Sequence, residues 1–160
     1  MLSKRGYIER PGEITLGNNV FINRNFYISA RDLYFGDNIM IGPNLVIECD
    51  NHVFNMVGET IFKLKDIRNT KGIKIENDVW IGANVTILPG AIIREGSVIG
   101  AGSVVTKEQP PYSVSFGNPC RPFKPRFTRE KLKEHLIQMN SNYTYEEVIK
   151  YISKYYDFTD

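Results

Sequence analysis

The sequence predicts an all-β fold, a parallel β-helix, because it combines a six-residue repeat with a composition that favours strands and turns. The 160 residues include 19 Ile and 11 Val but only 4 Ala, alongside 14 Asn and 13 Gly. In the second half an aliphatic residue recurs at every sixth position: Ile75, Ile81, Ile87, Ile93, Ile99 and Val105. The position four residues after each of the first five is small or β-branched: Val79, Val85, Ala91, Ser97 and Ser103.

This period of six identifies the repeating element as a short strand followed by a tight turn. An α-helix has a period of 3.6, and plain strand alternation would not single out one aliphatic position in six. Three six-residue sides close one coil of about 18 residues, in which the aliphatic side chains stack into a dry column.

The first half carries a looser copy of the repeat, at Leu16, Ile22, Ile28, Phe35, Ile41 and Ile47. One step in this series is seven residues long, which places an extra residue near positions 31–33. The interval from Ile47 to Ile75 is 28 residues, which is not a multiple of six. We therefore predict a protruding loop over about residues 50–72, and loops of this length in a compact fold are usually functional.

The chain becomes basic after the last repeat, and two helices are predicted there. One begins after Thr128, and the other begins with a capping box formed by Thr144 and Glu147. This divides the chain into a β-helix over residues 1–120 and a basic, helical segment over residues 121–160. We expect the helices to cover the open end of the solenoid.

Charge and hydropathy exclude several classes of protein. Lys and Arg number 20 and Asp and Glu 18, a net charge of +2, which is too small for a protein that binds nucleic acid through its phosphates. The apolar runs are only three residues long, so no transmembrane helix is expected. The N-terminus has no secretory signal, and two cysteines cannot form a disulfide framework, so we expect a cytoplasmic protein.

Three blocks of the sequence, at residues 78–90, 99–107 and 117–121, together resemble the hexapeptide-repeat acyltransferases. The resemblance covers about residues 14–127, with the blocks in the family's order and spacing. It implies a left-handed β-helix, a homotrimer, acetyl coenzyme A as the donor and active sites between neighbouring subunits.

The same resemblance assigns the general base to His52, in the run Asp50-Asn51-His52 after the first repeat array. The chemistry agrees, because an acceptor hydroxyl must lose its proton while it attacks a thioester, and histidine is the side chain best suited to remove it near neutral pH. The only other histidine, His135, lies in the predicted C-terminal helix.

The donor site is expected to include six residues: Trp80, Ala83, Ala101, Thr106, Lys107 and Arg121. In the family, backbone amides hold the pantetheine arm, the tryptophan lies near the thioester, and the last three positions meet the adenine and phosphate end. Other interpretations stay open: Trp80 suits a subunit contact, and the two cations suit a solvated rim.

Two other kinds of chemistry are disfavoured. Cys49 lies three residues before His52 and invites a covalent mechanism, but the family transfers the acyl group directly and a small packed residue is the simpler interpretation. A metal site is not expected, because the related carbonic anhydrases use three histidines per site and this chain has two histidines in total.

For the acceptor we expect contacts from Tyr27, Ser29, Arg31, Asp32, Asp50 and Asn51. The segment around Tyr27 resembles the galactoside and maltose acetyltransferases, but Ser29 stands where that branch has asparagine, and Val53 where it has proline. The Asn51-His52 pair is similar to surface-polysaccharide O-acetyltransferases and also to antibiotic acetyltransferases.

The sequence thus predicts O-acetylation of a saccharide, such as a lipopolysaccharide, capsule or related glycan precursor. The alternatives are acetylation of an antibiotic hydroxyl and a non-catalytic β-helix scaffold. The scaffold gives no reason for His52, Trp80 and the coenzyme block to occur together.

Overall fold

The structure, a computed structural model, describes residues 5–66 and 71–156, apart from the side chains of residues 51, 65 and 66. The chain winds through three sheets in a fixed order, coil after coil. The first sheet contains β1 (Gly6–Ile8), β4 (Phe26–Ser29), β7 (Val46–Glu48), β12 (Thr86–Ile87) and β15 (Val104–Val105). The second contains β2 (Ile14–Leu16), β5 (Leu33–Phe35), β10 (Ile73–Ile75) and β13 (Ile92–Ile93). The third contains β3 (Val20–Ile22), β6 (Ile39–Ile41), β11 (Trp80–Ile81), β14 (Val98–Ile99), β16 (Ser113–Phe116) and, antiparallel to β16, β17 (Arg121–Pro125).

Three corners join the sheets, and each corner consists of turns stacked from coil to coil. The first corner leads from the first sheet to the second, at residues 9–13, 30–32, 49–72, 88–91 and 106–108. The second corner leads from the second sheet to the third, at residues 17–19, 36–38, 76–79, 94–97 and 110–112. The third corner leads back to the first sheet, at residues 23–25, 42–45, 82–85 and 100–103.

The register of the strands measures the length of each coil. Partner residues lie 20 positions apart between β1 and β4, as in Tyr7 and Tyr27, and 19 apart in the rest of the N-terminal half, as in Tyr27 and Val46. In the C-terminal half they lie 18 apart, as in Thr86 and Val104. The seven-residue step spans the turn at residues 30–32, where Asp32 has a left-handed φ of 52°. Between Val46 and Thr86 the spacing is 40 residues, because the loop is inserted there.

The aliphatic residues of the repeat form the predicted dry column. Eleven of them are at most 2% exposed: Ile22, Ile28, Phe35, Ile41, Ile47, Ile75, Ile81, Ile87, Ile93, Ile99 and Val105. The small residues four positions further on are buried among them. Leu16 is 48% exposed, because β2 is the edge strand of its sheet and no coil covers it.

Asparagines at stacked corner positions explain why this residue is so common in the chain. At the third corner, Asn25, Asn44 and Asn84 adopt φ values of 62°, 63° and 58°, which asparagine tolerates better than most residues. The amide of Asn25 donates to Asn44 over 3.2 Å, and that of Asn44 to Asn84 over 2.8 Å. These hydrogen bonds connect the turn of each coil to the equivalent turn of the next coil and thereby stabilise both.

The protruding loop leaves the β-helix at the first corner, after β7, and returns at β10, as the repeat interruption predicts. It contains a small antiparallel pair, β8 (Asn51–His52) and β9 (Lys65–Asp66), with His52 opposite Lys65. Its outer part exposes five large apolar side chains: Phe54, Met56, Val57, Ile61 and Phe62. Residues 67–70 of the predicted loop lie outside the described residues.

The last coil closes the C-terminal end of the column with polar residues. Gln109, Ser113 and Cys120 are at most 1% exposed. The Ser113 hydroxyl donates to the Pro110 carbonyl over 2.7 Å, and the Cys120 thiol lies 3.7 Å from the Gln109 amide oxygen. These hydrogen bonds satisfy the buried polar groups at this end.

Both predicted helices are present, but they do not cover the end of the solenoid. The helix α1 (Arg129–Gln138) is capped by Thr128, and α2 (Tyr145–Ile152) has the predicted capping box. They form a second apolar core, made of Tyr112, Leu132, Leu136, Val148 and Ile152.

This second core lies along the second corner of the β-helix. Asn142 donates to Glu95, and the Tyr143 hydroxyl to Glu76, each over 2.7 Å. Arg126 donates to Asp78 over 2.7 Å. The expectation that the helices cover the open end is therefore wrong, because the chain reaches the second corner at Arg126, before α1 begins.

Neither α1 nor α2 has the length and apolar character needed to cross a bilayer, and the described residues contain no longer helix.

We expect Ile81→Ala to lower the free energy of unfolding by about 2–5 kcal/mol, because it empties part of the buried column. Ile137→Ala is the matched control, since Ile137 is 81% exposed, and its effect should stay below about 0.5 kcal/mol. Urea denaturation followed by circular dichroism measures both. Equal effects would contradict the assignment of the column as the main core.

Candidate active site

His52 lies at the first corner, on the hairpin formed by β8 and β9. Its Nδ1 is 3.2 Å from the carbonyl oxygen of Leu64. A carbonyl oxygen only accepts, so Nδ1 carries the proton in this contact and Nε2 remains the basic nitrogen. The imidazole is exposed. His52 therefore has the orienting partner and the accessibility that a general base requires.

Beside the hairpin, five charged or polar residues form an acceptor cluster: Glu9, Arg10, Ser29, Arg31 and Asp50. Arg10 Nη2 donates to Asp50 Oδ2 over 2.7 Å, and Arg10 Nη1 to Ser29 Oγ over 3.4 Å. The Ser29 hydroxyl donates to the carboxylate of Glu9. Arg31 Nε lies 3.7 Å from Asp50 Oδ1. The structure thus brings together three of the six predicted acceptor residues, Ser29, Arg31 and Asp50.

The charges in this cluster compensate one another. Desolvation alone lowers the pKa of Arg10, but the carboxylates of Asp50 and Glu9 raise it above its usual value, so Arg10 remains a cation. Arg31 also lies 3.7 Å from Glu13. Each of the two cations therefore faces carboxylates.

The other predicted acceptor residues are placed differently. Tyr27 is on the outward face of the first sheet, where its ring stacks on Tyr7 at a centroid distance of 5.7 Å. Asp32 is exposed in the turn between β4 and β5, and its carbonyl accepts from the amide of Ile73, the first residue of β10 after the loop. Asn51 begins β8, and its side chain lies outside the described part of the structure.

Ala83 and Ala101 occupy equivalent positions in stacked turns of the third corner. Gly82 makes their close approach possible, because a Cβ atom there would lie 2.6 Å from the amide nitrogen of Ala101. Within the described ranges, neither alanine amide donates to an acceptor. Two adjacent donors along one edge suit the carbonyl groups of a pantetheine arm.

The remaining four predicted donor residues lie on the third sheet, near the third corner and at the first corner. Trp80 points outward from the third sheet and is 58% exposed. Arg121 is in register with Phe116 at the end of β16, near the third corner, and its side chain donates to the Cys120 carbonyl over 3.0 Å. Thr106 and the exposed Lys107 are at the first corner, in the last coil.

One chain therefore carries the two halves of the candidate site on opposite edges of the first sheet. His52, Lys107 and the acceptor cluster lie at the first corner, whereas Ala83 and Ala101 lie at the third. Five residue steps lie between Ala101 and Thr106, and they include the turn at Gly102 and the strand β15, so the chain spans less than roughly 16 Å, the length of five extended steps at about 3.3 Å each.

The cysteines take no part in the site. Cys49 is fully buried, and burial raises the pKa of its thiol, which disfavours the nucleophilic thiolate. Burial likewise raises the pKa of Cys120 to about 11. Among the described residues, no group of three His, Cys, Asp or Glu side chains could hold a metal ion.

Sequence analysis missed Glu9, Arg10 and the Leu64 carbonyl. Glu9 and Arg10 precede the first recognisable repeat, so the six-residue pattern does not reach them. The strand register shows which sequence position could have indicated Glu9. Ile8 pairs with Ile28, and Ser29 with Glu48, so residues that directly follow the column positions stack on one another, and Glu9 follows Ile8. Leu64 contributes a backbone atom, which no side-chain pattern can reveal.

Comparison with known proteins identifies the family and the fold. The family model for bacterial transferase hexapeptide repeats (six repeats) matches residues 72–107. Galactoside O-acetyltransferase of Escherichia coli K12 is 37% identical over 137 residues, which cover 81% of this chain and 66% of that protein. The crystal structure of a maltose O-acetyltransferase from Clostridium difficile 630 superposes with a TM-score of 0.72 and 34% identity, covering 78% of this chain and 65% of that one. The chain thus spans just under two thirds of the length of these two relatives.

A hexapeptide-repeat-containing acetyltransferase from Vibrio cholerae also superposes on the chain, with a TM-score of 0.68 and 30% identity over 78% of this chain and 69% of that one. A further structure of that protein is complexed with acetyl coenzyme A. The fold is the left-handed parallel β-helix predicted from the repeat and the resemblance. With the repeat, the stacked corners and the sequence similarity all in agreement, the chain belongs to the hexapeptide-repeat acetyltransferases.

Proposed function

We propose that this protein transfers an acetyl group from acetyl coenzyme A to a hydroxyl group of a saccharide. The observation that carries the proposal is the orientation of His52, whose Nδ1 faces the Leu64 carbonyl and leaves Nε2 as the basic nitrogen of an exposed ring. His52 follows Asp50, a member of the acceptor cluster, by two residues. The relatives named as galactoside and maltose O-acetyltransferases support a sugar as the acceptor.

In the proposed reaction, Nε2 of His52 removes the proton of the acceptor hydroxyl while its oxygen attacks the thioester carbonyl. The carbon–sulfur bond breaks, the protonated His52 gives its proton to the departing sulfur, and coenzyme A leaves as a thiol. The acetyl group passes directly to the acceptor oxygen within a ternary complex. The burial of Cys49 supports this route over one through an acyl-enzyme.

For the donor, we propose that the amides of Ala83 and Ala101 bind the pantetheine arm and that Trp80 lies beside it. Thr106, Lys107 and Arg121 would bind the adenine and phosphate end, where cations pair with the 3′-phosphate. Because the two alanine amides and His52 lie on opposite edges of the first sheet, a complete site needs a second copy of the chain.

A homotrimer meets this requirement, since rotation about a threefold axis sets the third corner of one subunit against the first corner of the next. The outward face of the third sheet supports an interface, because it exposes Phe21, Met40 and Trp80 in one row of the ladder. Exposed apolar rows of this kind mark contact surfaces.

Within the saccharides, we propose a glycan precursor for a surface polysaccharide, modified in the cytoplasm. Ser29 supports a departure from simple galactosides, because it is 1% exposed and its hydroxyl is engaged by Glu9 and Arg10. A panel of sugars, glycan precursors and antibiotics, assayed by release of coenzyme A from acetyl coenzyme A, separates this acceptor class from the antibiotic alternative.

Replacing His52 by Ala should lower kcat by about 10²–10⁴-fold, because the general base is lost. Binding of coenzyme A and the melting temperature should change little, since the side chain is exposed. Lys63→Ala, an exposed position in the same loop, is the control. Turnover retained by His52→Ala with the preferred acceptor would exclude His52 as the base.

Coenzyme A should bind about 5- to 10-fold more tightly than dephospho-coenzyme A, roughly 1–1.4 kcal/mol, because exposed cations contribute modestly. Lys107→Met or Arg121→Met should narrow this difference, whereas Lys131→Met on α1 should not. Calorimetric titrations at low and high salt measure the difference in affinity between the two ligands, and high salt should reduce this difference. Equal affinities for the two ligands would remove both cations from the site, and failure of both to bind would favour a scaffold.

Analytical ultracentrifugation should show a trimer at micromolar concentration. Met40→Asp should shift it towards monomer, because Met40 is 61% exposed in the apolar row and a carboxylate there would be costly to bury. Thr15→Asp, on the outward face of the second sheet, is the control and should leave the trimer intact. A monomeric wild-type protein would contradict the proposed assembly.

A further inference from the structure

The hairpin that carries His52 is too small to hold its own conformation. β8 and β9 contribute two residues each, and an isolated two-stranded ribbon is marginally stable in water even when it is longer. Most of the loop beyond it, from Phe54 to Lys63, is exposed. The orientation of the imidazole must therefore depend on contacts that join the start of the hairpin to the coils.

Arg10 makes such a contact at the residue where the hairpin leaves the β-helix. Its guanidinium donates to Asp50 over 2.7 Å, two residues before His52, and both side chains are only 17% exposed. Asp50 is also fixed through its backbone, whose amide donates to Glu48 over 2.9 Å. Arg31 also faces Asp50, with its Nε 3.7 Å from Oδ1, so Arg10 makes the shorter of the two ion pairs at this residue.

The same guanidinium reaches Ser29, so it connects the hairpin to the acceptor cluster. Nη1 lies 3.4 Å from Ser29 Oγ and 3.7 Å from Glu9 Oε2. The planar fork of Arg10 therefore holds Asp50 with one nitrogen and the neighbourhood of Ser29 with the other. Because one planar guanidinium makes both contacts, a shift of Asp50 would also affect the contact with Ser29, and the reverse holds as well.

We propose that Arg10 is a positioning residue, which fixes the imidazole of His52 through Asp50 and sets its place relative to Ser29. The catalytic consequence rests on the proposed acetyl transfer, whereas the effect on the imidazole does not. Arg10 touches neither His52 nor the expected position of the thioester, so its role is indirect.

Imidazole NMR tests this directly, because the chain contains only two histidines, His52 and His135. In protein labelled with ¹⁵N-histidine, His52→Ala identifies the signals of each ring. The wild-type protein should show His52 with its proton on Nδ1, as the Leu64 contact requires. In Arg10→Met the His52 ring should lose this preference and show a mixture of tautomers, while the His135 signals stay unchanged.

Three further variants separate positioning from general destabilisation. Arg10→Lys should keep most of the wild-type pattern, because an ammonium group can still pair with Asp50. Asp50→Asn removes the other partner of the ion pair, so it should produce the same mixture of His52 tautomers as Arg10→Met. It replaces Arg10→Met as the test if that variant fails to fold. Arg24→Met is the control, since Arg24 is an exposed arginine of the same coils whose side chain has no ion pair in the described ranges.

Kinetics supply the second readout. Arg10→Met should lower kcat by about 10- to 100-fold, as small displacements of reacting groups do, while coenzyme A affinity changes less than about twofold. An unchanged His52 tautomer in both Arg10→Met and Asp50→Asn would overturn the inference, whatever the activity. If the tautomer changes but the wild-type protein acetylates nothing in the acceptor panel, the proposed function fails and the positioning role stands.

Discussion

The aliphatic column constrains everything else in this molecule, because it requires the chain to return to the same position in every coil. Ile47 and Ile87 meet in the first sheet although 40 residues separate them, and Ile87 meets Val105 after 18. Backbone and side chains at the corners must then stack as well. The asparagine ladder and the stacked alanine turns are both results of this one requirement.

The stacking also determines what each corner can do. At the third corner, where Gly82 closely approaches Ala101, the amides of Ala83 and Ala101 donate to no acceptor within the described residues, which suits the binding of an extended ligand. At the first corner, the coils bring together Glu9, Ser29 and Asp50 from three levels of the solenoid. A chain of simple repeats thereby produces two chemically different edges, one of backbone donors and one of paired charges.

The sequence predicts the features that depend on spacing along the chain and fails at those that depend on contacts between distant residues. The column residues and the loop bounds follow from the period of six, and the capping box at Thr144 follows from two residues at a fixed spacing. The position of the helices cannot be predicted in this way. The pattern at Leu132 and Leu136 shows that one helix face is buried, but it does not show which part of the fold covers that face. Arg10 is unpredictable for a related reason: its partners lie 19 and 40 residues away, and no repeat includes it.

The insertion at the first corner shows that this fold can accept additional chain at a corner while the strands keep their register. The strands before and after the loop keep their register, Tyr34 with Lys74 in the second sheet and Met40 with Trp80 in the third, as though the extra residues were absent. A corner is thus a point where chain can be added or exchanged without altering the coils on either side. Under the proposed assignments, acceptor preference would depend on this one segment and on its contact with Arg10, while the alanine turns on the opposite edge would bind the donor.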